Sequence, residues 1–510
     1  MIPIVERASD IHSVEGGWSS MLSIFFELQF LGPQGLSGAG LTVMINGSPL
    51  TIFAKQKNLL SDYDGMRMAW DWRGANALRP CLCCSNVFKK DSDLCNRPGT
   101  EDCVEITCAD PKKFKAKTSQ EFIEDVDLVQ EAGALLNRDP PGISPGEFEN
   151  LMKATGQNYN PLGWVANKDL REVIDPLRVC THDFVHGFVC AGVMSLEMWN
   201  MLQSGAHHLP MRDYKRFLQS DLQFPQQFRT KGTILWRVFD EEHRYPESPT
   251  KIRGDASELL GSYAIMRHLI ERYFDTKGDL AAERASFHAC CEVLDIILAM
   301  KRVTVDCGLE ESRVILEKAM SEHLRLHIAA YGTDGVIPKH HLNFKLAKQF
   351  EEDQRVQDAR SMERLHLRVK PHAEHCKSMT SFALSVLRKV AQTQINVITR
   401  EQVLSSGLRG KRNEIPGGLW VANSLECGSL KVSVNDVVWK NRFEMGKVTA
   451  CVADVDKNLF LSVAALDFIA EVSQHSDSFR LTDREQIWNA NAVSHPACWY
   501  AAGDLWVVVY

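Results

Sequence analysis

The sequence predicts an α+β protein, with sheet-forming and helical stretches segregated along the chain rather than alternating. Three observations carry this. Residues 40–60 hold β-favouring runs interrupted by Asn46-Gly47, a dipeptide suited to a tight hairpin. Between about 259 and 331 the apolar residues recur at helical spacing, as in Leu259, Tyr263, Met266, Ile270 and Phe274. After Gly417 the period falls to two, with Val432 and Val434, then Val448, Ala450 and Val452, then Leu459, Leu461 and Val463, and a closing LWVVVY.

With 510 residues the chain is too long for one ordinary core. Hydrophobic residues make up 45% and charged residues 24%, which excludes wholesale disorder. No window approaches a run of apolar residues long enough to span a bilayer, and Met1 opens MIPIVERASD without the pattern of a secretory signal. The expectation is a nuclear or cytoplasmic protein with no membrane partner. Its 15 cysteines, an odd number, then read as thiols, with metal binding where they cluster. A net charge of -7 argues against a simple DNA-binding module. Locally the balance reverses: from Lys339 to Lys389 there are 11 Lys or Arg against 6 Asp or Glu.

In order along the chain, the second β run stops at Ser61-Asp62 and gives way to a helical MRMAWDW, so a carboxylate sits at a strand end. From about 88 to 160 the chain is polar, and Pro140, Pro141 and Pro145 predict a connecting region with short helices. Helical stripes follow at 287–302 and 311–331. The stretch SSGLRGKRNEIPGG at 405–418 reads as a linker into a small C-terminal β-domain.

Four groups of residues could carry chemistry. RPCLCC at 79–84 contains a C-x-x-C pair, Cys81 and Cys84, at the spacing that lets one turn offer two thiolates to a tetrahedral zinc ion. The partner half would come from His340 and His341 in VIPKHHLNFK, of which adjacent side chains point apart; Cys83 is a substitute ligand. Residue chemistry alone leaves a structural zinc site, buried unliganded thiols and redox chemistry all open. Asp183 and His186 lie three apart, on one face of a helix, either orienting a nearby functional group or forming a local hydrogen bond in a helical core. Glu363, in SMERLHLRVK, opens a helix in the basic segment, where an isolated Glu-Arg is ordinarily a solvated pair. Asp62 is the fourth.

The order of these blocks, LLSDYDGMRMAWDWRGANALRPCLCCSNV, DFVHGF, KIRGDASELLGSYAIMRHLIE and PKHHLNFKLAKQFEEDQRVQDARSMERLHLRVK, resembles a transposase-like family expanded in certain protist genomes. More distantly it is similar to the zinc-stapled DDE transposases of the hAT, CACTA and Transib kind, which include the V(D)J recombinase core. The resemblance implies a partial RNase H-like core in 1–190, a helical insertion in 191–335, a return to the core in 336–404 and the β-domain in 416–510. It implies Asp62 as the second catalytic acid and Glu363 as the third, with Glu258 in GDASELLG as the reserve. Asp183 and His186 match its D(2)H signature, and Cys81, Cys84, His340 and His341 its metal staple. Two Mg²⁺ ions held by the acids would activate the nucleophile and stabilise the leaving oxygen.

The pattern is incomplete in two places. The first acid, expected in a DE-x-TPGN segment upstream, is missing and Asp10 is no substitute, so the expectation is an N-terminally truncated chain that is inactive alone. Lys345 stands where PKHH-x-x-x-H would place a histidine, and a protonated amine does not ligate zinc. The expected function is therefore a degenerate DDE transposase-like protein. The alternative is a non-catalytic nucleic-acid or protein-binding scaffold. DNA would meet Arg355, Arg360, Arg364, Arg368 and Lys370, and a homo-oligomer is compatible with either reading.

Overall fold

The computed structural model describes residues 14–33, 35–225, 235–241, 245, 250–274, 278, 280–302, 309–359, 385–386, 388–392, 406–428, 430–473, 475–494 and 496–509. The protein is α+β. It divides into two compact units: Met1–Met194 with Glu292–Val390, and Ser195–Cys291 with Ala391–Tyr510. The stretch 191–335, expected as one helical insertion, thus contributes to both.

In the first unit, β1 (Leu41–Ile45) and β2 (Ser48–Ile52) form the expected hairpin. Asn46 and Gly47 both have positive φ, at 52° and 82°, which is why this dipeptide fits a two-residue turn. β3 (Leu59–Ser61) then leads into the helix Tyr63–Ala69. Two-residue strands β4 (Val87–Phe88) and β5 (Val104–Glu105) pair in parallel and brace the cysteine turn. The 88–160 region is less broken than expected. Its first helix, Ser119–Leu136, runs 18 residues because all three prolines lie beyond it, with Pro145 at the opening of the next helix, Pro145–Thr155, where a missing N–H costs nothing. Both helices start with a capping box, Thr118 with Glu121 and Ser144 with Glu147.

β6 (Cys180–His182) pairs with β3 in parallel, Leu59 opposite Cys180 and Ser61 opposite His182. Among the described residues this pair has no third strand beside it, so the larger RNase H-like sheet remains an expectation. It rests on an aromatic core. Trp164 donates from Nε1 to the Ala69 carbonyl at 2.5 Å and packs edge-on against Phe26 and Trp70, at ring-centre distances of 5.4 and 5.7 Å. The long helix Leu309–Tyr331 packs along the helix Phe344–Asp353.

The second unit is built on a curled antiparallel sheet. Here the segment 405–418 is no linker. It supplies β7 (Gly407–Arg409) and β8 (Asn413–Ile415), too short to show alternation in sequence. They are followed by β9 (Leu419–Ala422), β10 (Ser424–Cys427), β11 (Leu430–Ser433), β12 (Val437–Asn441), β13 (Glu444–Ala453), β14 (Leu459–Ser473), β15 (Ser476–Asn489), β16 (Cys498–Ala502) and β17 (Leu505–Val509). The large sheet runs β16-β17-β15-β14-β13-β9-β8, with β12 also on β13, and a smaller one runs β11-β10-β7. Register shifts in β13 and β14 bend the long strands, and the enclosed face buries Leu425, Val432, Val448, Leu461, Val463 and Trp488. In the same unit His268, from the helix Ala256–Tyr273, is buried between the Ser476 and Tyr500 hydroxyls at 3.0 and 3.1 Å.

Two predictions follow from these cores. Trp164→Ala should lower the unfolding free energy by about 3–5 kcal/mol, measured by denaturant titration. Burial, helped by Arg272, lowers the pKa of His268 from 6.5 to about 4. The unfolded histidine therefore takes up a proton that the folded one refuses. The contribution of His268 should be complete above pH about 6.5 and be lost toward pH 4, by about 1.4 kcal/mol per unit, read as the difference between the acid limbs of wild type and His268→Gln.

Candidate metal centre

The site lies entirely in the first unit and starts from the parallel pair. Because side chains alternate along a strand, Cys180 and His182 of β6 share one face while Thr181 and Asp183 turn to the other. Opposite, Asp62 follows Ser61 off the end of β3. The two carboxylates therefore leave adjacent strand ends, but neither is idle. Asp62 caps the helix Tyr63–Ala69, accepting from the Gly65 N–H at 2.7 Å. Asp183 is wholly buried and accepts from three backbone N–H groups, of Val185 at 3.1 Å, His186 at 3.3 Å and Ala359 at 3.1 Å, besides pairing with His186 Nδ1. Asp183 and His186 are thus a cap contact where a helical turn begins, not two positions within a helix. Through Ala359, Asp183 also pins the entry to the segment that carries Glu363.

Cys81 to Cys84 form a tight buried turn. It is held by the Asn86 side chain, which donates to the Asp102 and Lys113 carbonyls at 2.6 and 2.8 Å and accepts from the Lys115 N–H at 2.8 Å. The Lys117 N–H donates to the Cys83 carbonyl at 3.0 Å. Cys81 and Cys84 face one way and Cys83 the other. On the short helix Pro338–Leu342, His340 and His341 diverge by about 100°, as neighbours on a helix must.

Three clusters result, each with ligand atoms within 4.8 Å of one another: Cys81, Cys84 and His341; Cys83, Cys180 and His182; and His323, His327 and His340. These buried or near-buried His/Cys groups could hold metal ions. The expected set of four therefore divides, His341 joining the two cysteines and His340 facing the helix Leu309–Tyr331. Cys83, expected as a substitute ligand, belongs to a cluster of its own.

The first cluster fits a metal by its chemistry. Both ring nitrogens of His341 are buried without a conventional hydrogen bond, and the ring stands edge-on to Phe114 at 4.5 Å. The hydrogen bond from Cys81 pushes the Cys84 pKa down most, and His341 and Lys345 add to this against the effect of burial. Burial and the neighbouring Cys84 push Cys81 the other way. Within the pair the negative charge is favoured on Cys84. Cys83 is lowered likewise, by its hydrogen bond from Cys180 and by His182, whose Nε2 lies 3.9 Å from the Cys83 sulfur.

Lys345 stands between these sulfurs. Burial favours its neutral form, but Cys81, Cys84 and Cys83 outweigh burial and keep it an ammonium, bonded to Cys84. It occupies the neighbourhood of a fourth ligand and supplies one positive charge where a divalent ion would supply two. It also lines a pocket of about 610 Å³ with Cys83, Cys180, His182, Lys57, Arg178 and Lys348. One wall of that pocket is Gln349, whose amide accepts from the His182 N–H at 2.8 Å and donates to the His182 carbonyl at 3.1 Å.

Arg355 is exposed. Glu363, Arg360, Arg364, Arg368 and Lys370 lie outside the described residues. Among the described residues Asp62 joins no group of three ligating side chains. Glu258 lies in the second unit, where its carboxylate accepts from the Asp255 N–H at 3.0 Å in a capping box. Sequence reasoning passed over Cys180, His182, His323 and His327. Their signals were a Cys-x-His on a strand and a His-x-x-x-His on a helix. No family model matches the chain, and no curated protein matches it. Among the described residues no helix is long and apolar enough to cross a membrane.

If Lys345 takes the place of a fourth ligand, Lys345→His should tighten divalent-metal binding at Cys81, Cys84 and His341 by at least about tenfold. Cys84→Ser should remove that metal equivalent. Elemental analysis and competition with a chromogenic chelator measure both.

Proposed function

We propose that this chain is a degenerate DDE transposase-like protein whose ancestral chemistry was metal-dependent DNA strand cleavage and transfer, and which acts without that chemistry when alone. The observation that carries the reading is the clasp. A C-x-x-C turn beside the ends of two parallel strands meets a histidine from the segment just ahead of the expected third acid. Zinc suits the clasp, since two thiolates and an imidazole are its preferred ligands and it would tie two segments about 260 residues apart in sequence. Cys81, Cys84 and His341 would hold it, and its role there would be structural.

Catalysis by Mg²⁺ needs carboxylate oxygens open to the ion. Asp62 spends one oxygen on a helix cap and Asp183 is fully engaged, which favours loss of the strand-transfer site. Nucleic-acid binding is the activity that survives in this reading. Arg355 is exposed, and Lys57, Arg178 and Lys348 lie around the pocket that adjoins the strand pair, Lys57 and Lys348 also pairing with Asp353 and Glu352 at 3.0 and 3.6 Å. A nuclear location and a homo-oligomer fit such a protein.

The test uses the full chain with supercoiled and linear DNA in Mg²⁺ or Mn²⁺. The expected result is binding that weakens steeply with salt and no cleavage, with a weaker salt dependence in Lys57→Ala/Lys348→Ala. Cleavage that disappears in Asp62→Ala would restore an active enzyme and overturn the inactivity proposed here. Absence of both binding and cleavage would leave the protein-binding scaffold as the reading.

A further inference from the structure

We propose that His323, His327 and His340 form a second metal site, free of sulfur, that takes a borderline divalent ion, zinc foremost. The site is independent of the cysteine clasp and of any transposase ancestry. Its geometry comes from two helices. His323 and His327 are four residues apart on the helix Leu309–Tyr331, so both imidazoles emerge on one face, the arrangement by which a single helix supplies two zinc ligands. His340 enters from the helix Pro338–Leu342, its ring stacked on His323 at 5.8 Å and 4.7 Å from His327 between centres. All three side chains are buried.

One ring nitrogen from each residue lies within 4.8 Å of the others. Around a tetrahedral zinc with Zn–N of about 2.1 Å, ligand nitrogens sit about 3.4 Å apart. The cluster would close by at most about 1.4 Å of rotamer adjustment. At His340, Nδ1 lies 3.1 Å from the Ile337 N–H, which donates to it, and 3.3 Å from the Ile337 carbonyl; a metal at Nε2 requires the tautomer in which Nδ1 donates to that carbonyl instead. Gly335 completes the cradle: a Cβ at this position would stand 2.9 Å from His327 Nε2. A side chain at 335 would thus crowd the His327 ring and force it to shift. Three imidazoles suit zinc, cobalt(II), nickel or copper(II) and disfavour magnesium and calcium, which require oxygen ligands.

The test loads the metal-free full chain with Co²⁺ as a probe and follows both metal content and absorption. Cobalt on sulfur gives an intense thiolate-to-metal charge-transfer band, whereas cobalt on imidazoles gives only weak d–d bands. His323→Gln/His327→Gln should lose one metal equivalent with the charge-transfer band unchanged. Gly335→Ala, which removes no ligand, should weaken the same equivalent at least about tenfold. A metal count and d–d spectrum identical to wild type in both variants would overturn the site. If the double variant does not fold, by circular dichroism, the Gly335→Ala titration decides alone. The cysteine clasp is judged separately by whether wild type shows the charge-transfer band.

Discussion

The parallel pairing of β3 with β6 is the constraint on which the rest of the first unit depends. Three residues on each strand are enough, because the alternation of side chains makes register decisive. With Ser61 opposite His182, Cys180 and His182 face Cys83 while Asp183 turns toward Val185, His186 and Ala359. A slip of one residue would exchange these faces, aiming the carboxylate at a thiolate and the imidazole at backbone donors.

Around this pair the protein gathers an unusual density of soft ligands, with the Lys345 ammonium set among the sulfurs. Cys84 and Cys83 are both biased toward thiolate, each by a hydrogen bond from a neighbouring thiol. Lys345 serves both sulfurs and is kept charged by them, so the ammonium and the thiolates depend on one another. A metal entering at Cys81, Cys84 and His341 would compete with that ammonium directly.

Much of the architecture was legible in the sequence. Asn46-Gly47 announced its hairpin, the helical stripes marked 259–274, 287–302 and 311–331, and the period of two marked the strands after 417. Hidden were the features decided by tertiary contact. β7 and β8 are three residues each, too short for any period to show, and their pairing with β10 and β9 makes them strands. The site was half legible. C-x-x-C and PKHH pointed to ligands because their spacing is local. Which histidine meets which cysteine depended on the roughly 100° between neighbours on a helix, and Cys180 and His182 became ligands only once β6 was placed against the cysteine turn. The prolines misled about helix length because Pro140 and Pro141 fell between two helices and Pro145 opened the second, none of them interrupting a helix.

The Gln349 side chain has a consequence beyond lining the pocket. The Leu59 N–H reaches β6 at the Val179 carbonyl, so the polar backbone groups of His182 point away from β3. There the glutamine amide meets both, donor to acceptor and acceptor to donor, as the peptide of a further strand would. A side chain thereby plugs the exposed border of the pair. An intruding polypeptide seeking to extend the ribbon would first have to displace it, which guards against unwanted β-type association at the margin where the ligand clusters meet.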